Sequence, residues 1–135
     1  MEKRLGGIIM ALEFIQTEKA PAAIGPYSQG TKGNGIIYVS GQLPIDMETG
    51  ELVTNSVEKA TKASLSNLLA IVEAGGGKLE NIARVGVFVK DINDFAAIND
   101  VYTEFFGDHK PARALVEVAK LPKDALVEIE AVAVL

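Results

Sequence analysis

Arg113 follows directly on Pro111-Ala112, and Glu128 stands in the run Val127-Glu128-Ile129-Glu130. A guanidinium is a planar five-donor fork that can grip a carboxylate with two parallel bonds. A glutamate beside a ligand can hold or activate a water as general base, a contribution worth ~10²–10⁴ in rate. Each has a structural alternative. Arg113 could pair with Glu117 or with a glutamate of a neighbouring subunit, and Glu128 could belong to an interface ion pair. Spacing alone leaves both alternatives open. Tyr27, flanked by Gly25-Pro26 and Ser28, is a phenol on a stiff loop, fit to donate to a ligand or to pack on a sheet. Ser40-Gly41 closes a strand-like run and offers a hydroxyl with a close-approach N–H, or a plain turn. His109 is the single histidine, so no site can be built around a second one. Gly75-Gly76-Gly77 lacks the lysine-serine pattern and preceding strand of a phosphate loop and reads as a helix end.

Composition narrows the chemistry further. The 135 residues contain no cysteine, which excludes a thiolate nucleophile, a disulfide framework and sulfur-ligated metal. No metal-ligand cluster or dinucleotide glycine pattern is present, and no cofactor is expected. The net charge of −5 gives none of the field that non-specific nucleic-acid binding needs, nor an attraction to anionic membrane surfaces. A small anionic substrate would therefore need a local cation, and Arg113 can supply it. No apolar run approaches the ~20 residues of a membrane span. Residues 1–11 read as an N-terminal extension, frayed or disordered, with Met10 as an alternative start. Their apolar part is too interrupted for a signal peptide. Residues 12–135 are expected to form one domain, in keeping with a reducing cytoplasm.

Positioning falls to a small set of elements. Leu12-Glu13-Phe14-Ile15 reads as an edge strand, Ile36–Ser40 as a strand after the turn Gly33-Asn34-Gly35, and Asp46–Gly50 as a turn. A first helix is expected from Asn55, with Glu58 completing a capping box. Its stripe is Val57, Ala60, Ser64, Leu65, Leu68, Leu69 and Val72. The alternation over Ile82–Val89 predicts a strand with Ala83, Val85, Val87 and Val89 on one face. A second helix, capped by Asn93 or Asp94, should bury Phe95, Ile98, Tyr102, Phe105 and Phe106 and stop at Gly107. Two C-terminal strands follow. In the first, Ala112, Ala114, Val116 and Val118 form a small apolar face; in the second, Val127, Ile129, Ala131 and Ala133 do. Two helices can cover only one side of a sheet, and these apolar faces belong beneath them. Arg113, Leu115, Glu117, Glu128 and Glu130 then fall on an uncovered face, half apolar and half charged, suited to a subunit interface.

Several segments in order carry a resemblance. Ala20–Gln29, Ser40-Gly41-Gln42, Val87–Phe95, Pro111-Ala112-Arg113, Pro122-Lys123-Asp124 and Val127–Ala131 resemble the RidA/YjgF/YER057c/UK114 family, over nearly the whole chain from Ala20 onward. The resemblance implies an α+β, chorismate-mutase-like fold: a mixed β-sheet with two helices on one face, three copies packing their sheets into a barrel-like homotrimer. It also implies deamination of 2-iminobutanoate and 2-iminopropanoate in clefts between subunits. On that basis Arg113 binds the substrate carboxylate, Glu128 positions water, and Tyr27, Ser40, Gly41 and Asn93 line the pocket. The backbone N–H of Leu115 adds a donor. Many relatives carry Ser-Cys where Ala114-Leu115 stand here, and a longer loop with an aromatic where Lys110 stands. These differences bear on substrate range more than on reaction type. A module that senses 2-oxo acids without catalysis is the alternative on the same scaffold. A ribonuclease or translation inhibitor fits the acidic charge less well.

Overall fold

The computed structural model describes residues 2–5 and 8–135, with side chains from Leu12 onward. Strands β1 (Glu2–Leu5) and β2 (Ile8–Ala11) pair as an antiparallel ribbon separate from the main sheet. The order or disorder expected at Met1, Gly6 and Gly7 lies outside the described residues.

The main sheet runs β3 (Glu13–Ile15), β4 (Gly30–Gly33), β5 (Ile36–Gln42), β10 (Val127–Val134), β8 (Ile82–Val89), β9 (Ala112–Glu117) in spatial order. Between β5 and α1 the chain makes a short ribbon of β6 (Ile45–Asp46) and β7 (Glu51–Leu52). All pairs of the main sheet are antiparallel except β8–β9. A parallel pair cannot be joined by a hairpin, and α2 (Phe95–Phe106) supplies the crossover between them. With α1 (Val57–Ala74), the result is the expected α+β arrangement of a mixed sheet with two helices on one face. Among the described residues no helix is long and apolar enough to cross a membrane.

The core lies between the sheet and α1. Ile37, Val39, Val85, Val87, Val89, Val127, Ile129 and Ala131 meet Ala60, Leu65, Leu68, Ile71 and Val72, with Ile98 and Phe106 of α2 closing one end. β4 and β5 are joined by a tight turn in which Asn34 and Gly35 both take positive φ, 52° and 73°, the backbone that a two-residue hairpin needs. The first helix starts one residue later than the capping pattern predicted. Ser56, in extended backbone, accepts the Lys59 N–H at 3.2 Å. Asn55 and Ser56 are both cap formers in succession, so composition alone could not rank them.

Two faces differ from expectation. In β8 a bulge opposite Val132/Ala133 shifts the alternation, so that Ile82 is buried with Val85, Val87 and Val89 while Ala83 is exposed. In β9 the faces are reversed. Its parallel register sets Arg113 against Val85 and Leu115 against Val87, both core-facing. Arg113 and Leu115 therefore lie on the helix side, and Ala112, Ala114 and Val116 on the open side. β9 is an edge strand that α2 covers only in part, so an arginine stem can lie there with its head near solvent. β10 has the expected parity: Val127, Ile129, Ala131 and Ala133 are buried, Glu128 and Glu130 half-buried on the open side. Within one copy, Arg113 and Glu128 thus stand on opposite faces of the sheet.

The open face is continuous. Register places Phe14, Thr31, Tyr38, Val132, Arg84 and Ala112 in one row across all six strands. Phe14 and Tyr38 are 54% and 51% exposed, so this row is a half-apolar surface left without a covering layer.

Candidate functional site

Four of the residues singled out from sequence converge on one cleft. Tyr27, Ser40, Gly41 and Glu128 line a cleft of about 750 Å³, together with Pro21, Ala22, Ile24, Leu43, Ile45 and Lys123. Its floor is the junction of β5 and β10, where the register shifts between Ile129 and Ala131. The shift opens space beside Ser40-Gly41, and Glu128 folds into it. A Cβ at Gly41 would stand 2.9 Å from the Glu128 carboxylate, so only glycine permits this approach. Gly86 does the same for Glu130, whose Cγ would lie 3.0 Å from an added Cβ.

The polar groups are arranged around that carboxylate. The Ser40 hydroxyl donates to the Ser28 carbonyl at 2.6 Å, which leaves its oxygen as an acceptor. The Tyr27 phenol oxygen receives the Ile24 N–H at 3.4 Å, and its own proton has no acceptor among the described residues. Burial pushes the Glu128 carboxyl above its usual range, and the neighbouring Glu130 charge adds to the rise. Glu130 itself faces Arg84 at 3.7 Å. A half-buried carboxylate with no cation beside it, in a cleft, has the properties of a group poised to take a proton.

Gln29 was not singled out from sequence. Its buried amide accepts the Thr17 N–H at 2.7 Å and donates to the carbonyls of Thr17, Ala20 and Pro21 at 3.0, 3.2 and 2.8 Å. It fixes the loop that carries Tyr27. No local pattern marks such a residue, because its four bonds form only once β3 and β4 are paired.

Arg113 belongs to a second cluster, on the other side of the sheet. Its guanidinium donates to Asn99 Oδ1 at 2.7 Å and lies over the Tyr102 ring at 4.7 Å, with the Phe95 ring at 5.9 Å. Among the described residues no carboxylate comes within ion-pair distance of it. Glu117, the partner considered from sequence, accepts the Ile92 N–H at 3.0 Å instead. Burial raises the Tyr102 phenol, and the Arg113 charge opposes that rise. The guanidinium thus lies over a ring and is tied by one neutral acceptor, with no other donor bonded among the described residues. Asn99 stands three residues ahead of Tyr102 on α2, so helical spacing puts the two on one face, but its bond to Arg113 forms only once α2 lies over β9. Asn93 sits in the turn before α2, its N–H on Asp91 Oδ1, and is not among the residues that line the Glu128 cleft. Leu115 packs its side chain on the core two residues beyond Arg113 on edge strand β9.

Comparison with known proteins gives a consistent picture. Residues 17–135 match the family described as Endoribonuclease L-PSP. The chain is 53% identical to a RutC family protein of Pyrococcus abyssi over 92% of its own length and 98% of that protein's. It is 52% identical to a 2-iminobutanoate/2-iminopropanoate deaminase of Salmonella typhimurium over 89% and 95%. Among solved structures, Escherichia coli TdcF with bound serine superposes with a TM-score of 0.87 at 45% identity, covering 91% of this chain and 98% of that one.

Proposed function

This chain belongs to the RidA/YjgF/YER057c/UK114 family, whose matching description is Endoribonuclease L-PSP, and from that premise we propose that it hydrolyses 2-imino acids to 2-oxo acids and ammonia. The observation that carries the reading is the division of the charged groups. Glu128 stands in a cleft with no ion-pair partner, and Arg113 stands on the opposite face without a carboxylate, both among the described residues. Neither group is used up within one copy. A copy that brought its β9 edge, with Arg113, against the Glu128 cleft of the next would supply each with what it lacks, and three would close the ring as a homotrimer.

The chemistry suits so sparse a site. Arg113 of one copy binds the substrate carboxylate, aided by the N–H of Leu115. Asn99 and Tyr102 hold the guanidinium in place. Glu128 of the next copy accepts a proton from water as the water oxygen bonds to the imine carbon. The C=N electron pair moves to nitrogen, which takes up the proton held by Glu128, giving a carbinolamine and restoring the carboxylate. The C–N bond then breaks, nitrogen leaves as ammonia with the hydroxyl proton, and the C=O bond forms. Tyr27 and the Ser40 oxygen orient the polar atoms of the substrate. An imine already hydrolyses in water, so orientation and one proton-handling carboxylate suffice. A relative named as a 2-iminobutanoate/2-iminopropanoate deaminase and one crystallised with serine, an amino acid carboxylate, support this substrate class.

The test is ammonia release from freshly generated 2-iminobutanoate. Arg113→Ala is expected to abolish acceleration while the oligomer survives, and undiminished turnover in that variant sinks the proposal. Binding of 2-oxobutanoate with no acceleration by the unmodified protein would favour a sensing module instead. Arg113-dependent RNA cleavage would favour the activity in the family's description.

A further inference from the structure

We infer that Lys123 gives the Glu128 cleft a second anion-recognition point, so that imines of acidic amino acids, with a carboxylate on the side chain, belong to the substrate class. The inference rests on the deaminase reading for its reaction, but not for its binding.

Lys123 lines the same cleft as Glu128, Tyr27 and Ser40. It sits at the centre of the turn Pro122–Asp124 with φ 57° and ψ 21°, and Asp124 follows with φ 55°. Two successive non-glycine residues in the left-handed region are strained. Such strain persists only where the surroundings over-determine it, and it concentrates at ligand sites. The surroundings here do so. Leu121 and Ala125, at the two ends, are buried. The Asp124 N–H donates to the Leu121 carbonyl and the Ala125 N–H to the Pro122 carbonyl, each at 3.1 Å. Lys90 Nζ holds Asp124 Oδ2 at 2.9 Å.

That last pair matters for charge. Asp124 would be the nearest anion in sequence to Lys123, and Lys90 already occupies it. Among the described residues Lys123 has no carboxylate within ion-pair distance. The turn therefore brings Lys123, with no carboxylate paired to it, to a cleft whose lining includes the apolar Pro21, Ala22, Ile24, Leu43 and Ile45 beside Gln42. Arg113 from the neighbouring copy takes the carboxylate next to the imine carbon. A four-carbon monoacid leaves Lys123 idle, whereas a diacid has a second carboxylate for it.

Imines generated in place by an amino-acid oxidase, from 2-aminobutanoate and from glutamate, test this. Lys123→Gly keeps the turn, since glycine takes φ 57° without a Cβ penalty. It should lower kcat/KM for the glutamate-derived imine by about tenfold or more, the loss of one charged contact, and for 2-iminobutanoate by less than about twofold. Lys123→Arg should restore the diacid. Equal losses on both imines, or none on the diacid, overturn the inference. Calorimetry with 2-oxoglutarate and 2-oxobutanoate separates the two readings. If the unmodified protein accelerates neither imine, the deaminase reading fails alone. The inference then stands if Lys123→Gly weakens 2-oxoglutarate selectively, and falls if it does not or if 2-oxoglutarate fails to bind.

Discussion

On the proposed reading, Glu128 faces two opposing demands. Burial in the cleft and the charge of Glu130 both push its carboxyl above the usual range, yet a base must be ionised to accept a proton. The rate should therefore fall with acid at a pH higher than an exposed glutamate would give. The sign for Glu130 follows directly. Its negative charge disfavours a second one, so Glu130→Gln should lower the Glu128 pKa and move the acid limb of kcat/KM to lower pH. Glu128→Gln should remove the limb and nearly all acceleration, a loss of about 10²–10⁴. A pH–rate profile of the three proteins checks both. An acid limb that stays put in Glu130→Gln would place the titrating group elsewhere. Residue type singled out Tyr27, Ser40, Gly41 and Glu128 but left a structural alternative open for each; the family resemblance grouped them, and the fold brings all four to one cleft. Asn99 and Gln29 were not singled out, since their roles exist only once α2 lies over β9 and β4 has paired with β3.

Among the elements, β9 shows where sequence patterning stops. Its even positions are small and apolar, and alternation read them as the buried face. Register with β8 decides otherwise. An edge strand partly covered by a helix needs little apolar mass, so hydrophobicity carries weak information about its parity. β10, central and covered along its length, was legible because four successive inward positions must all be apolar. The α1 N-terminus makes a sharper test. Ser56→Ala should cost about 1 kcal/mol of stability as a lost cap, while Asn55→Ala should cost less than half of that, by denaturant unfolding. Equal costs would return the cap to a shared role. Deeper in the same helix, Leu68 is fully buried, and Leu68→Ala should cost about 2–5 kcal/mol.

At the scale of the whole molecule, the sheet itself separates the two halves of the proposed chemistry. Helices shield one face, and Arg113 stands at the edge of that layer. The other face holds Glu128 among exposed Phe14, Tyr38 and Val116. A single copy would place substrate carboxylate and attacking water on opposite sides of one layer, which no hydrolysis can use. If copies pack in a ring, each site takes Glu128 from one and Arg113 from the next. Arg113→Ala and Glu128→Gln, each inactive alone, should then complement one another. Refolded together in equal amounts, they mix at random. A site has an intact Glu128 in half of cases and an intact Arg113 beside it in half of those. About a quarter of the original activity should return, the expectation for a head-to-tail ring of independent sites. Mixing the two after each has assembled separately should restore nothing until subunits exchange. If both residues served one site within a single copy, no mixture would regain activity at any ratio, and the division of the site across the sheet would have to be abandoned.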